Sequence, residues 1–161
     1  MAGSLMYLLT SIISYLGVIG GFALANISPE ELKPGKKYFD AVMDFAFIIL
    51  MLLLLYFRNP AIGVIIIIAI GVYLKFGKGR TAMKIEYGIL GVVFALLAAD
   101  QLMFKIAASL VFIFGLAGGT LCVMKHQEKS RAWQFFYILF SNSLFFVTAL
   151  PLYFLDVKIV P

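Results

Sequence analysis

Two carboxylates four residues apart, in Asp40-Ala41-Val42-Met43-Asp44, are the side chains of this sequence best placed to do chemistry, because residues i and i+4 share a helix face. A DxxxD pair can chelate Mg²⁺ and present a diphosphate, as in membrane prenyltransferases, and Lys33, Lys36 and Lys37 stand just upstream. Such enzymes generally need a second acidic motif and more helices to enclose a lipid chain, and the sequence supplies neither. The same acids can instead bind or relay a cation or proton in a transporter, or hold a partner subunit. A purely structural role is the remaining reading, since acids are favoured near a helix N-terminus and loop lysines can pair with them. Glu86 opens a later apolar run at the same expected end, so Asp40, Asp44 and Glu86 are expected to converge as ion- or partner-binding candidates.

Asn142, flanked by Ser141 and Ser143 in a phenylalanine-rich run, is the fourth candidate. An amide at the middle of a membrane helix needs a partner on a neighbouring helix, and Ser14 and Ser109 are suitable hydroxyls; a substrate contact is the alternative. Other chemistry lacks its residues. Cys122 is the single cysteine, so no intrachain disulfide or CxxC couple exists, and it reads as a packing residue. His126 is the single histidine, expected to be solvated in a hydrophilic loop, and it rules out a bis-histidine haem. No GxSxG, HExxH, GxGD-type aspartate, Walker A or GxGxxG motif is present, and no cofactor is expected.

The elements that hold these residues follow from composition. Apolar residues make up 63% of the 161 and charged residues 13%, with a mean hydropathy of +1.05, far from the ~45–50% and ~25% of soluble domains. Lipid is the solvent that accepts long apolar runs broken by short charged stretches. The expected fold is all-α: a single membrane domain over residues 1–161, a polytopic bundle of about six transmembrane helices near 5–25, 38–57, 61–76, 82–99, 102–124 and 133–155. The third run is short and β-branched, and is read as a helix because an open strand in lipid leaves its backbone unsatisfied. Ala23-Leu24-Ala25 resembles a signal-peptide cleavage site, but residues 1–4 carry no Lys or Arg and the apolar stretch is long, so the first run is expected to be a retained helix.

Between the first two runs, Ser28 with Glu31 reads as a capping box with Pro29 in first helical position, giving a short interfacial turn broken at Pro34-Gly35. Asp44 then lies about 9 Å into a helix that starts at Tyr38. Pro151 is expected to bend the end of the last run. Asp100 and Lys105 are expected near the outer end, snorkelling or paired. A weak parallel repeat lays Asp44-Phe45 through Arg58 over Glu86-Tyr87 through Asp100.

The net charge of +5 sits in short loops rather than on an extended basic face, which argues against nucleic acid and for anionic lipid. Lys33, Lys36, Lys37, Lys75, Lys78, Arg80, Lys84, Lys125, Lys129 and Arg131 fall on one side, against Arg58, Lys105 and Lys158 on the other. The positive-inside rule then places loops 26–37, 77–81 and 125–132 in the cytoplasm and both termini outside the cytoplasm of a multi-pass cell-membrane protein. Gly17/Gly21 and Gly115/Gly119 are GxxxG pairs and Gly91/Ala95 a small-xxx-small relative, marking close helix contacts within the chain or between chains. The functional expectation is a small transporter or channel-like protein for an ion or small solute, possible as a homo-oligomer. The alternatives are a non-catalytic accessory subunit bound to another membrane protein and, third, a Mg-dependent enzyme acting on lipid phosphates.

Overall fold

A computed structural model describes residues 3–57 and 80–154, with side chains for 3–56 and 85–154. Every element among these residues is helical: α1 (Ser4–Ile27), α2 (Leu32–Phe57), α3 (Arg80–Leu97), α4 (Gln101–Lys125), α5 (Arg131–Asn142) and α6 (Leu144–Phe154). Four stretches are long and apolar enough to cross a membrane: Ser4–Ile27, Leu32–Tyr56, Gln101–Lys125 and the combined Arg131–Phe154, with Ile85–Leu97 a shorter apolar helix. The expected third run, 61–76, lies outside the described residues.

The helix ends correct several expectations. α2 starts at Leu32, so Pro34-Gly35 falls inside its first turn and does not break it. Pro is tolerated there because the first N–H groups of a helix have no intrahelical acceptor, and the Gly35 N–H already closes on the Glu31 carbonyl at 2.9 Å. Asp44 is therefore about 18 Å from the start of its helix, at 1.5 Å per residue. Asp100 caps α4, its carboxylate accepting from the Leu102 and Met103 N–H groups at 2.8 and 3.0 Å. The last run breaks at Ser143 and not at Pro151, which lies inside α6. Both the hydroxyl and the N–H of Ser143 turn to the Phe140 carbonyl, at 2.8 and 3.4 Å, which tightens the turn and ends α5.

α4 is the central helix, packed against α1 on one side and α2 on the other, and α3 packs along α6. The seams are built on close approach and interhelical hydrogen bonds, the two devices that hold helices together where the hydrophobic effect does not. The α1–α4 seam is built from the two GxxxG pairs. A Cβ on Gly17 would fall on the Phe112 carbonyl, one on Gly21 on the Leu116 carbonyl, one on Gly119 on the Val18 carbonyl, and one on Gly115 would come within 2.9 Å of the Val18 nitrogen. The Thr120 hydroxyl spans this seam, reaching the Gly21 carbonyl at 3.1 Å and its own helix at Leu116 at 2.9 Å. The α3–α6 seam repeats the device. A Cβ on Gly91 would strike Thr148 and the Phe145 carbonyl, and the Thr148 hydroxyl reaches the Gly88 carbonyl at 2.9 Å. Ala95, one turn on, is half-buried.

The registers fix directions. Residue numbers rise together across the α1–α4 seam, so those helices are parallel. Phe94 meets Phe104 and Tyr87 meets Phe114, so α3 opposes α4. Leu32 borders the same cleft as Val123 while Phe47 meets Phe114, so α2 also opposes α4. α2 and α3 consequently run the same way, and Phe57 and Arg80 lie at opposite ends of the bundle. Lys33, Lys36, Lys37, Lys125, Lys129 and Arg131 gather at one end, and Lys105 and the Asp100 turn lie at the other. Between the ends much of the outward surface is apolar, with Leu5, Ile13, Phe45, Leu52, Phe136 and Phe140 all exposed, and the exposed Asp44 interrupts it on α2. Exposed apolar surface of this kind is compatible with lipid or with a covering partner.

Candidate functional site

α3 buries the face carrying Glu86, Leu90, Val93 and Leu97, together with Tyr87 and Phe94. Four of these positions are aliphatic or aromatic without a polar atom, and Glu86 breaks the stripe with a carboxylate that is 3% exposed. Its Oε2 makes no hydrogen bond. The charges whose fields reach it are those of Asp44 on α2 and Lys125 at the end of α4. Of the three acids expected to converge, the structure brings Asp44 and Glu86 into electrostatic range of each other and leaves Asp40 exposed at the surface of α2. Asp44 is also exposed; the stripe that α2 turns inward is Met43, Ala46, Phe47, Leu50, Met51 and Leu54. Among the described residues no three His, Cys, Asp or Glu side chains form a metal-holding group.

Among the described residues two further buried side chains have polar atoms without a hydrogen bond. The Tyr87 hydroxyl makes no hydrogen bond, although its ring packs edge-on against Phe114 at 5.2 Å, and the polar groups nearest in electrostatic terms are Tyr15, Glu86 and Cys122. Asn142, 1% exposed, has neither its Nδ2 nor its Oδ1 paired. The hydroxyls proposed for it are taken: Ser14 donates to the Thr10 carbonyl at 2.8 Å and Ser109 to the Lys105 carbonyl at 3.1 Å, each within its own helix. Asn142 pairs with neither, and each serine gives its hydrogen to the carbonyl four residues back. Asn142 belongs with Gln134 and Ile138 to the buried face of α5. Gly88 abuts Leu144 across the α3–α6 seam, so Glu86 and Asn142, each two residues earlier, stand at matching heights.

The arrangement is a run of polar atoms inside an apolar bundle: the Glu86 carboxylate, the Tyr87 hydroxyl and the Asn142 amide, beside a helix interrupted at Ser143. Four buried atoms without hydrogen bonds are costly in a low-dielectric interior, at about 1–3 kcal/mol each from mutational data. They can accept or donate to a small polar or charged guest. Sequence reasoning named Glu86 and Asn142, weighted the Asp40/Asp44 pair more heavily and passed over Tyr87.

His126 also departs from expectation. It is half-buried at the end of α4, its Nδ1 is 3.0 Å from the Cys122 carbonyl, and its ring packs on Trp133 and Tyr137 at 5.3 and 4.8 Å. A short loop folds α5 back onto the ring, which partly shields it from water. Comparison of the chain with models of protein families, with curated proteins and with solved structures finds no match.

Proposed function

We propose that this chain is a small multi-pass membrane protein, a transporter or channel-like protein that handles a cation or proton at Glu86. The single observation that carries the reading is the Glu86 carboxylate, buried and with Oε2 unpaired within an apolar helix bundle. An intramembrane acid is expensive to keep and marks a functional pathway unless packing needs it, and no hydrogen bond of Oε2 gives packing a use for it. The interruption of a membrane-length helix beside Asn142 supports the same reading, since transporter sites are typically built at such breaks. Cell-membrane residence with the basic end in the cytoplasm and the chain ends outside is supported by the apolar belt and by the charge gathered at one end. Additional copies can complete a pathway, because one bundle of this size has little interior of its own.

The experiment is reconstitution of the full chain into liposomes with proton, Na⁺ and K⁺ gradients read by entrapped dyes. Wild-type protein is expected to dissipate one of the gradients and Glu86→Gln to lose at least tenfold of that flux while eluting as the same monodisperse species. Equal flux from the two proteins, or no flux of any of the three cations, overturns the reading. An accessory subunit is the contrasting function. Its partner would meet the exposed apolar faces of α2 or α5, because the small-residue seams are already used within the chain.

A further inference from the structure

Because α1 and α4 are parallel, their C-terminal ends lie side by side, and the connections that follow them, 28–31 and 126–130, meet at the basic end. Between them is an open cleft of about 750 Å³. Its rim carries Lys33, Lys129 and Arg131 against a single lining acid, Glu30, so three positive charges face one negative. Its floor is apolar, formed by Ala25, Leu32 and Val123, all buried in the bundle. The far wall is the start of α5. Ser130 caps that helix and its hydroxyl accepts the Trp133 N–H at 3.4 Å, while the N–H groups of Arg131 and Ala132 have no acceptor within the helix.

The wall is also held in place. Gln134 lines the cleft, and its Nε2 donates to the carbonyls of His126 and Lys129 at 2.7 and 3.1 Å, which ties the 126–130 connection to α5. The Lys129 ammonium stands 5.9 Å above the Trp133 ring, and Trp133 is itself partly exposed, as a residue at the membrane–water interface is.

We propose that this cleft binds the phosphate of an anionic phospholipid headgroup. Charge complementarity selects an anion, the guanidinium fork and free helix N–H groups suit phosphate oxygens, and the helix dipole adds to both. A lipid is favoured over inorganic phosphate because Trp133, over which the cleft's Lys129 stands, is exposed as an interfacial residue is, so the cleft opens where headgroups lie. The site is separate from Glu86 and does not depend on what passes there.

The test is native mass spectrometry of the full chain released from nanodiscs that contain phosphatidylglycerol and phosphatidylcholine together. Wild-type protein is expected to retain phosphatidylglycerol in preference, and Lys33→Ala/Arg131→Ala to weaken that retention about thirtyfold, from the usual contribution of two basic groups near a charged membrane surface. Lys36→Ala/Lys37→Ala removes the same charge outside the cleft and is expected to change retention less than threefold. Arg131→Lys keeps the charge but loses the fork, and is expected to fall between the two. Equal weakening by the two double variants overturns the proposal in favour of diffuse surface charge. Equal retention of phosphatidylcholine, or displacement of the lipid by millimolar inorganic phosphate, overturns the headgroup assignment.

Discussion

Tyr15 donates its hydroxyl hydrogen to the carbonyl oxygen of Leu139, the acceptor that Ser143 leaves when its N–H turns to Phe140. A break in a long apolar helix frees backbone polar groups that need a new partner, and here a tyrosine from α1 takes up the freed carbonyl. Tyr15→Phe keeps the ring and its packing on Phe146, at 4.7 Å, and removes only the donor. The expected loss is about 1 kcal/mol of stability, read as a lower midpoint in denaturant unfolding in detergent. An unchanged midpoint would show that the break does not need this bond.

The α1–α4 seam predicts a sharp contrast between neighbouring glycines. Gly21→Leu drives a side chain into the Leu116 carbonyl and the Thr120 nitrogen, whereas at Gly20 the nearest obstacle to a Cβ is a Leu116 methyl 4.0 Å away. Gly21→Leu is expected to abolish the monodisperse peak in size-exclusion chromatography, with several kcal/mol lost to overpacking, and Gly20→Leu to retain it.

Asn142 separates structural from functional roles. Replacing an unpaired buried amide with an apolar group of similar volume removes a desolvation cost, so Asn142→Leu is expected to raise stability by about 1 kcal/mol. If the amide serves the Glu86 pathway, the same variant loses cation flux in the liposome assay. A gain in stability with flux unaltered would confine Asn142 to packing. This is the trade of stability for activity that functional sites commonly show.

The common direction of α2 and α3 gives a labelling prediction. In a Cys122→Ser background, single cysteines at Gly3, Tyr56 and Gln101 are expected to react with an impermeant maleimide from one side of the membrane. Cysteines at Lys36, Arg80 and Glu128 are expected to react from the other. Labelling of Tyr56→Cys and Arg80→Cys from the same side would refute the parallel arrangement.

The all-helical character and the long apolar helices were legible because long apolar helices announce themselves by run length. Seam residues such as Gly21 and Gly119 were legible as small-residue pairs, but which helix each would meet depended on registers that no local pattern contains. The start of α2 was misplaced because Pro34-Gly35 looks like punctuation, and position within the first turn decides whether a proline breaks a helix. The break at Ser143 was hidden behind Pro151, the more conspicuous residue. For the site, the DxxxD spacing showed that Asp40 and Asp44 share a face without showing that the face points outward. Glu86 stood alone in sequence, and only the folded bundle reveals that it is the buried acid.

The bond from Thr120 to Gly21 joins residues 99 apart in the chain. During synthesis at roughly 5–20 residues per second, α1 is complete about 5–20 s before the helix that fits its glycine face has been made. On the membrane function proposed above, a helix with Ser11, Ser14 and two glycines on one side waits through that interval in lipid or in the shelter of the insertion machinery. The seam that makes the finished bundle tight is therefore also a wait imposed on its assembly, and a ribosome stalled before residue 125 would leave a first helix with nowhere to dock.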